Sequence, residues 1–372
     1  MPLSSVLIVG AGIGGLTAAI ALRRKVIPVT MIERDPTWTV YGVGIIQQYN
    51  VIRVMDQLDL LDDYMFEAYG FDKTTFHGPD GAVLSSFEAP RLAGPDYPSN
   101  AGIRRVALQR TLSDRAKALG VEIRLGLTVE GLVDDGAGVD VTFSDGSQGR
   151  YDAVIGADGV FSKTRGQVLP SAPAPEYTGQ WVWRYNLPLL PEMEGIHIFH
   201  GPVSGGLTPI GGGLMYIFVL SEEPPDFVLE LEGSAAAMRA RIPGAAPQLA
   251  ALADQVTEDD GVVGRPLETV FLSGPWHVGR VALLGDAVHA STPHMAQGAG
   301  MAIEDAAVLA EEMAAHSDPE AAFVAYRNRR FERAEFVWKN SIRIGEMQMG
   351  KIPPFNVEAV NAEGRALLAQ PI

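Results

Sequence analysis

Several short stretches of this sequence carry residue types that could do chemistry. In Gly10-Ala-Gly12-Ile-Gly14-Gly15, positions 10, 12 and 15 satisfy G-x-G-x-x-G directly after an apolar run. There the first glycine permits a tight turn, the second lets backbone approach a pyrophosphate, and the third allows close packing of helix on strand. The helix that follows offers unpaired N–H groups and a partial positive charge to phosphates. Glu33 ends the next apolar run, where a carboxylate accepts hydrogen bonds from ribose hydroxyls and argues against a ribose 2′-phosphate. Two more turns, Gly156-Ala-Asp158-Gly159 and Gly285-Asp286-Ala-Val-His289, each follow a buried run. Finally, Pro293-His294-Met-Ala-Gln-Gly298 sets His294 just before a helical pattern, and an imidazole near neutral pKa is a suitable base. The glycine motif calls for a dinucleotide but does not separate NAD from FAD.

These residues need particular elements to position them. Ser5 to Val9 reads as a strand buried on both faces of a parallel sheet. Leu16, Ala19, Ile20 and Leu22 recur at helical spacing, and Pro28 to Glu33 reads as a second strand. Together they make a βαβ unit. Helical patterns fit Val51 to Met65 and Leu108 to Leu119, and strands fit Val121 to Leu125, Val139 to Phe143 and Tyr151 to Gly156. Between Pro170 and about Pro275 the texture changes to aromatic, β-rich runs such as Trp181-Val-Trp183 and Leu214 to Leu220, as expected of an inserted antiparallel sheet. A buried strand returns at Val281, followed by helical patterns from Gly298 to beyond Arg343. The apolar-spaced segment Phe331 to Met349 is a candidate dimer surface, with monomer and homodimer both open.

With these motifs in order, the chain resembles the class A flavoprotein hydroxylases, the para-hydroxybenzoate hydroxylase type of FAD-dependent monooxygenase, and is nearest in motif to hydroxynicotinate and salicylate hydroxylase-like members. The likeness runs from the glycine motif through Arg105, Leu108 and Asp158-Gly159 to Gly285-Asp286, Pro293, Gln297-Gly298 and Glu304-Asp305. It implies an α/β fold: a Rossmann-like FAD-binding domain from 1–72, 100–170 and 276–330, an inserted antiparallel β-sheet substrate domain from 73–99 and 171–275, and C-terminal helices over 331–372.

The resemblance also implies site roles. Gly10, Gly12, Gly15, Glu33 and Arg34 would hold the ADP half of FAD, and Arg105 would contact the cofactor from a helix start. Asp158 would belong to a turn serving both FAD and the pyridine nucleotide. Asp286 would accept hydrogen bonds from ribityl or ribose hydroxyls, while Pro293, Gly298 and Ala299 would face the flavin ring. The implied reaction takes electrons from NADH or NADPH and oxygen from O2. It passes through a flavin C4a-hydroperoxide to hydroxylate a small phenolic or N-heteroaromatic substrate, with no metal. The rival readings are a reductase or oxidase on the same fold, without oxygen transfer, and a redox-dead dinucleotide-binding protein.

Pocket walls should come from the inserted sheet, with Trp183, Leu207, Pro209, Tyr216 and Phe218 as candidates and His294 as the catalytic base. Arg184 suits either a substrate carboxylate or a structural ion pair. His289 suits a structural role. Of His197 and His200, three residues apart, at most one enters the pocket. The chain departs from the family pattern at Ala296, where glycine is common, at Gly300, where asparagine is common, and at Tyr49, where many members have proline.

Composition agrees with this reading. The 372 residues include 29 basic and 45 acidic side chains, a net charge of −16, which opposes binding to nucleic acid or anionic lipid. Zero cysteines exclude a disulfide framework, a thiolate metal site and a cysteine nucleophile. Val6 to Leu22 is apolar enough to imitate a signal core, but no basic residue precedes it and four glycines interrupt it. No targeting segment or membrane span is expected, and the cytoplasm is the expected compartment.

Overall fold

The computed structural model describes residues 3–40 and 42–372. Its first sheet has six strands in the order His277–Val278, Val281–Leu283, Ala153–Gly156, Val6–Val9, Val29–Glu33 and Glu122–Leu125. All neighbours run parallel except the edge pair of His277–Val278 with Val281–Leu283. Val6–Val9 is buried at every position, which is why the run lacks alternation: helices cover one face and a three-stranded meander covers the other. That meander, Val129–Asp134, Val139–Phe143 and Gln148–Tyr151, closes a core of its own over Leu7, Val9 and Val154. The helix Ile13–Arg24 lies against the helix Gly298–Ala315, and Gly14 makes the approach possible. A Cβ there would come 2.8 Å from Leu284 Cδ2 and 3.2 Å from Ala302 Cβ.

The second large sheet has seven strands in the order Val263–Thr269, Glu176–Pro188, Leu214–Glu222, Gly205–Ile210, Gly195–Phe199, Lys73–His77 and Val83–Glu88. Its pairings are antiparallel except that of Gly195–Phe199 with Lys73–His77. A small sheet of Gly44–Gln47, Asn100–Arg104 and Tyr69–Phe71 joins the two regions. The helical stretch read as Val51 to Met65 is two helices, Tyr49–Gln57 and Leu61–Glu67, broken where Asp59 takes a positive φ of 59°.

The segment Phe331 to Met349, read as a candidate dimer surface, lies along the long helix Pro319–Gln348, with Phe331, Phe336 and Trp338 half-buried. The apolar and small residues Phe323, Tyr326, Ala334, Val337, Ile344 and Gly345 of that helix are buried within this chain. No helix among the described residues is long and apolar enough to cross a membrane.

One backbone feature lies well away from the site. Val26 follows the helix Ile13–Arg24 with φ 63° and is 82% exposed, so a β-branched side chain sits in the left-handed region without packing to compensate. Val26→Gly is expected to raise stability by about 1 kcal/mol, the relieved strain exceeding the added entropy of the unfolded chain. Urea denaturation of both proteins measures it.

Candidate active site

The glycine motif forms the turn between the first strand and its helix. Gly10 has φ 104°, and a Cβ on it would lie 2.5 Å from the carbonyl oxygen of Ala157. Gly12, by contrast, has no atom within 4 Å of its Cβ position and opens onto the cleft. The turn is braced through Ala11, whose N–H donates to Glu33 Oε2 at 2.9 Å. Its carbonyl accepts from Trp38 Nε1 at 3.0 Å and Gln109 Nε2 at 3.1 Å. Glu33 Oε1 accepts from the N–H of Asp35 at 3.0 Å, so this carboxylate is fixed before any ribose reaches it. Arg34 is exposed and does not line the cleft. Asp158 turns its carboxylate onto Ser162 Oγ, Thr164 N and Thr164 Oγ1, at 2.5, 3.0 and 3.0 Å. The lining at that turn comes instead from Ala157 and Gly159.

From Gly12 a cavity of about 740 Å³ extends beneath the seven-stranded sheet, lined by Arg105, Asp286, Pro293, Gly298 and Ala299. Asp286 faces this cavity with no hydrogen-bond partner among the described residues. Its side chain is exposed to the cavity, and the surrounding protein partly desolvates the carboxyl and pushes it above the usual range, against the pull of His289 and Arg105. An unpartnered acceptor beside an open glycine turn fits the hydroxylated chain of FAD. Asp286→Ala is expected to weaken FAD binding roughly ten- to hundredfold, the contribution of charge-assisted hydrogen bonds. Flavin fluorescence titration of the apoprotein measures it.

The helix Gly298–Ala315 points its N-terminus into the same cavity. A buried amide network holds that end: Gln297 Nε2 donates to Gln48 Oε1 at 2.6 Å and to Asn50 Oδ1 at 3.2 Å. Asn50 Nδ2 returns bonds to Gln297 Oε1 at 3.1 Å and Glu304 Oε1 at 3.2 Å. The departures from the family pattern meet here. A Cβ on Gly300 would lie 2.6 Å from Gln297 Oε1 and 3.0 Å from Val51 Cγ2, so a side chain there would push the Gln297 amide out of its network, and the amide of Asn50 stands beside it. Ala296 takes φ 52°, a left-handed conformation in which its methyl packs against the apolar cluster that contains Ile46, Ile210 and Tyr216.

The ceiling corrects part of the sequence reading. Strand pairing puts Arg184 opposite Phe218 and Asn186 opposite Tyr216, and Arg184, Phe218 and Tyr216 line the cavity. Trp183, Leu207 and Pro209 do not. Trp183 and Leu207 belong to the core on the far face, and Pro209 pairs with Met215 of that core. Trp183 donates to Ser221 Oγ at 2.8 Å and lies 4.3 Å beneath the guanidinium of Arg241. The error is one of phase: shifting a strand by one residue moves every side chain to the other face.

Arg184 forms no ion pair with a described residue. Burial, and then the charge of Arg105, lower its pKa to about 10. Arg105 is likewise without a carboxylate partner, and burial lowers its pKa as well. Tyr216, buried on the same face, is pushed up by burial.

His294 lines the cavity, but both ring nitrogens are engaged, Nδ1 with Thr292 Oγ1 at 2.9 Å and Nε2 with Gln348 Oε1 at 3.1 Å. Burial holds its pKa down to about 4. As pH falls through 6.5 the unfolded chain takes up a proton that the folded chain refuses until about 4. Stability due to this group is therefore complete above about 6.5 and declines by roughly 2–4 kcal/mol on the way down. His294→Gln is expected to flatten that decline, as denaturation midpoints of both proteins between neutral and acid pH would record. His289 takes the expected structural place, its Nε2 2.6 Å from Asp305 Oδ2. Of the other histidine pair, His200 lines the cavity, and His197 faces away and meets His77 at 2.9 Å.

Sequence reasoning missed the braces Trp38 and Gln109, the Gln48–Asn50–Gln297 network and the C-terminal helix Val357–Ala369, which contributes Val357, Asn361, Gly364, Arg365 and Leu368 to the cavity wall. An Asn or Gln recurring beside the glycine-rich stretches was the available signal. The arrangement as built can hold a dinucleotide along the parallel sheet and an anionic ring under the second sheet, with a helix N-terminus between.

Comparison with known proteins agrees with that geometry. The family described as FAD binding domain matches residues 4–341. The chain is 32% identical over 356 residues to aurachin C monooxygenase/isomerase of Stigmatella aurantiaca, covering 92% of this chain and 89% of that protein. It is 31% identical over 360 residues to 6-hydroxynicotinate 3-monooxygenase of Pseudomonas fluorescens, covering 90% and 89%. Among solved structures, Klebsiella pneumoniae HpxO complexed with FAD and uric acid superposes with a TM-score of 0.84 at 25% identity, over 98% of this chain and 92% of that one.

Proposed function

We propose that this chain, which belongs to the FAD binding domain family and is a FAD-dependent aromatic monooxygenase, takes electrons from NADH or NADPH and inserts one atom of O2 into a small anionic phenol or N-heteroaromatic ring. One observation carries the substrate class. In a protein of net charge −16, Arg105 and Arg184 line the cavity with no carboxylate partner among the described residues. Both are half-buried, and charges drawn out of bulk water are ordinarily paired, so the pairing partner is supplied by what binds. The relative named for 6-hydroxynicotinate and the solved structure holding uric acid support a ring substrate.

FAD, when bound, supplies the chemistry of reduction by the nicotinamide donor and of oxygen transfer. The protein's own part is electrostatic and positional. Gly12 gives the pyrophosphate access to the backbone, and Asp286 accepts from the sugar-chain hydroxyls. The N-terminus of the helix Gly298–Ala315 favours negative charge on the reduced ring. Arg184 orients the substrate anion, and its charge favours the ionised form of a ring hydroxyl beside it. A nearby cation therefore does part of what a base would do, by lowering the proton affinity of the substrate itself. His294 has low proton affinity and two protein partners, so we assign it to fixing the cavity edge through Gln348.

The test is NADH and NADPH consumption by the FAD-loaded protein across hydroxybenzoates and hydroxypyridines. Strong stimulation by anionic members and little by their neutral amides is the expected result. Equal stimulation by both removes the anion assignment.

A further inference from the structure

The ceiling of the cavity is much longer than one ring. Strand register places Arg184, Phe218, Gly206, Ile198 and Phe76 in a single row across five adjacent strands. Four strand spacings of about 4.8 Å make that row roughly 19 Å long. Its chemistry changes from one end to the other. Arg184 and Tyr216 stand at one end, and Ile196, Ile198 and Phe76 line the other. Gly206 lies between them: a Cβ there would lie 2.5 Å from Phe218 Cε1, so this position adds no side chain of its own to the ceiling and the Phe218 ring covers it.

The apolar end is built of stacked rings. Phe76 stacks on Phe87 with centroids 6.1 Å apart and on His200 at 5.6 Å. Arg365 of the C-terminal helix covers Phe87, its guanidinium 4.0 Å from the ring. Among the described residues lining this half, the titratable side chains are Arg365, which caps Phe87 from the C-terminal helix, and His200, which burial keeps towards its neutral form. The half is thus apolar, walled and continuous with the ring site.

We propose that the substrate has two parts: an anionic hydroxylated ring held at Arg184, and an apolar extension, a short alkyl chain or a fused ring, that runs beneath Ile198 to the Phe76–Phe87 pair. This rests on the reading of the cavity as a hydroxylase site and adds what lies beyond the reacting ring. A monocyclic acid fills only the polar end and leaves the apolar wall in water. Burying each added methylene there tightens binding about threefold, on the order of a hundredfold over four methylenes.

The FAD-loaded protein would be titrated with salicylate and 3-hydroxybenzoate, each bare and carrying alkyl chains from methyl to pentyl, with the flavin absorbance change read as binding. The expected result is an affinity that climbs with chain length in the wild-type protein and climbs far less in Ile198→Trp, where the indole fills the passage to Phe76. Retention of the bound flavin spectrum shows that the variant is folded. If bare rings bind and chain length adds nothing, the apolar subsite is overturned while the hydroxylase reading stands. If affinity climbs equally in the variant, the extension lies elsewhere and the proposal also fails. If no member of either series disturbs the flavin, the hydroxylase reading falls and takes this inference with it.

Discussion

Arg330→Met is expected to destabilise the protein by about 3–5 kcal/mol, the cost of removing one partner from a buried ion cluster. Arg330 is fully buried, with Nε 2.8 Å from Asp305 Oδ1 and Nη1 2.7 Å from Glu304 Oε2. Arg333 and Arg53 approach Glu304 as well, at 3.1 and 3.6 Å. Burial works to raise the pKa of Asp305, but His289 and Arg330 outweigh it and hold it at about 2. Without Arg330 two carboxylates stay in the core with less compensation. The damage should reach the cofactor, because Asp305 Oδ2 also accepts from the N–H of Gly285 at 3.1 Å and from His289, and those residues shape the turn that presents Asp286. Adding Asp305→Asn to Arg330→Met should recover part of the stability, since it removes one of the stranded charges. Chemical denaturation of the two variants measures the coupling, and a single-variant loss below about 1 kcal/mol would place the cluster's charges in water, in conflict with the burial seen.

Arg184→Met should leave FAD bound and weaken the anionic substrate on the order of a hundredfold, within the range for truncating one member of a buried charge pair. Arg184→Lys should recover only part of this, because an ammonium lacks the planar fork that meets a carboxylate in two bonds. Flavin perturbation titrations separate the two ligands. A variant that loses FAD but keeps substrate affinity would move Arg184 to the cofactor.

The residues at these two sites differed in how far they could be read without a structure. The glycine motif, Glu33 and the Gly285-Asp286 turn were legible because backbone geometry dictates their types: only glycine tolerates φ 104° against the carbonyl of Ala157. The six-stranded sheet was legible for a similar reason, since a strand buried on both faces is apolar throughout. That same property hid the pocket. The strand Gly205–Ile210 is buried at every position, so apolarity gives no phase there, and Leu207 and Pro209 were assigned to the face that belongs to Arg184 and Phe218. Along Trp183-Arg-Tyr-Asn-Leu187 buried and half-buried residues do alternate, and Trp183 was assigned against that alternation. The buried cluster stayed hidden too, because Glu304, Asp305, Arg330 and Arg333 look like solvated helix residues until two helices pack. The C-terminal helix gave no sign of its place over the cavity, which depends on contacts remote in sequence.

Oxygen transfer is the central claim, and it is tested most directly by running the FAD-loaded protein with NADH and an accepted substrate under isotopically labelled O2 and following product mass. The account predicts label in a new ring hydroxyl, one atom per molecule of product, and none when the label is in water. NADH consumption that yields only hydrogen peroxide and unaltered substrate would contradict it and leave an oxidase or reductase on this fold.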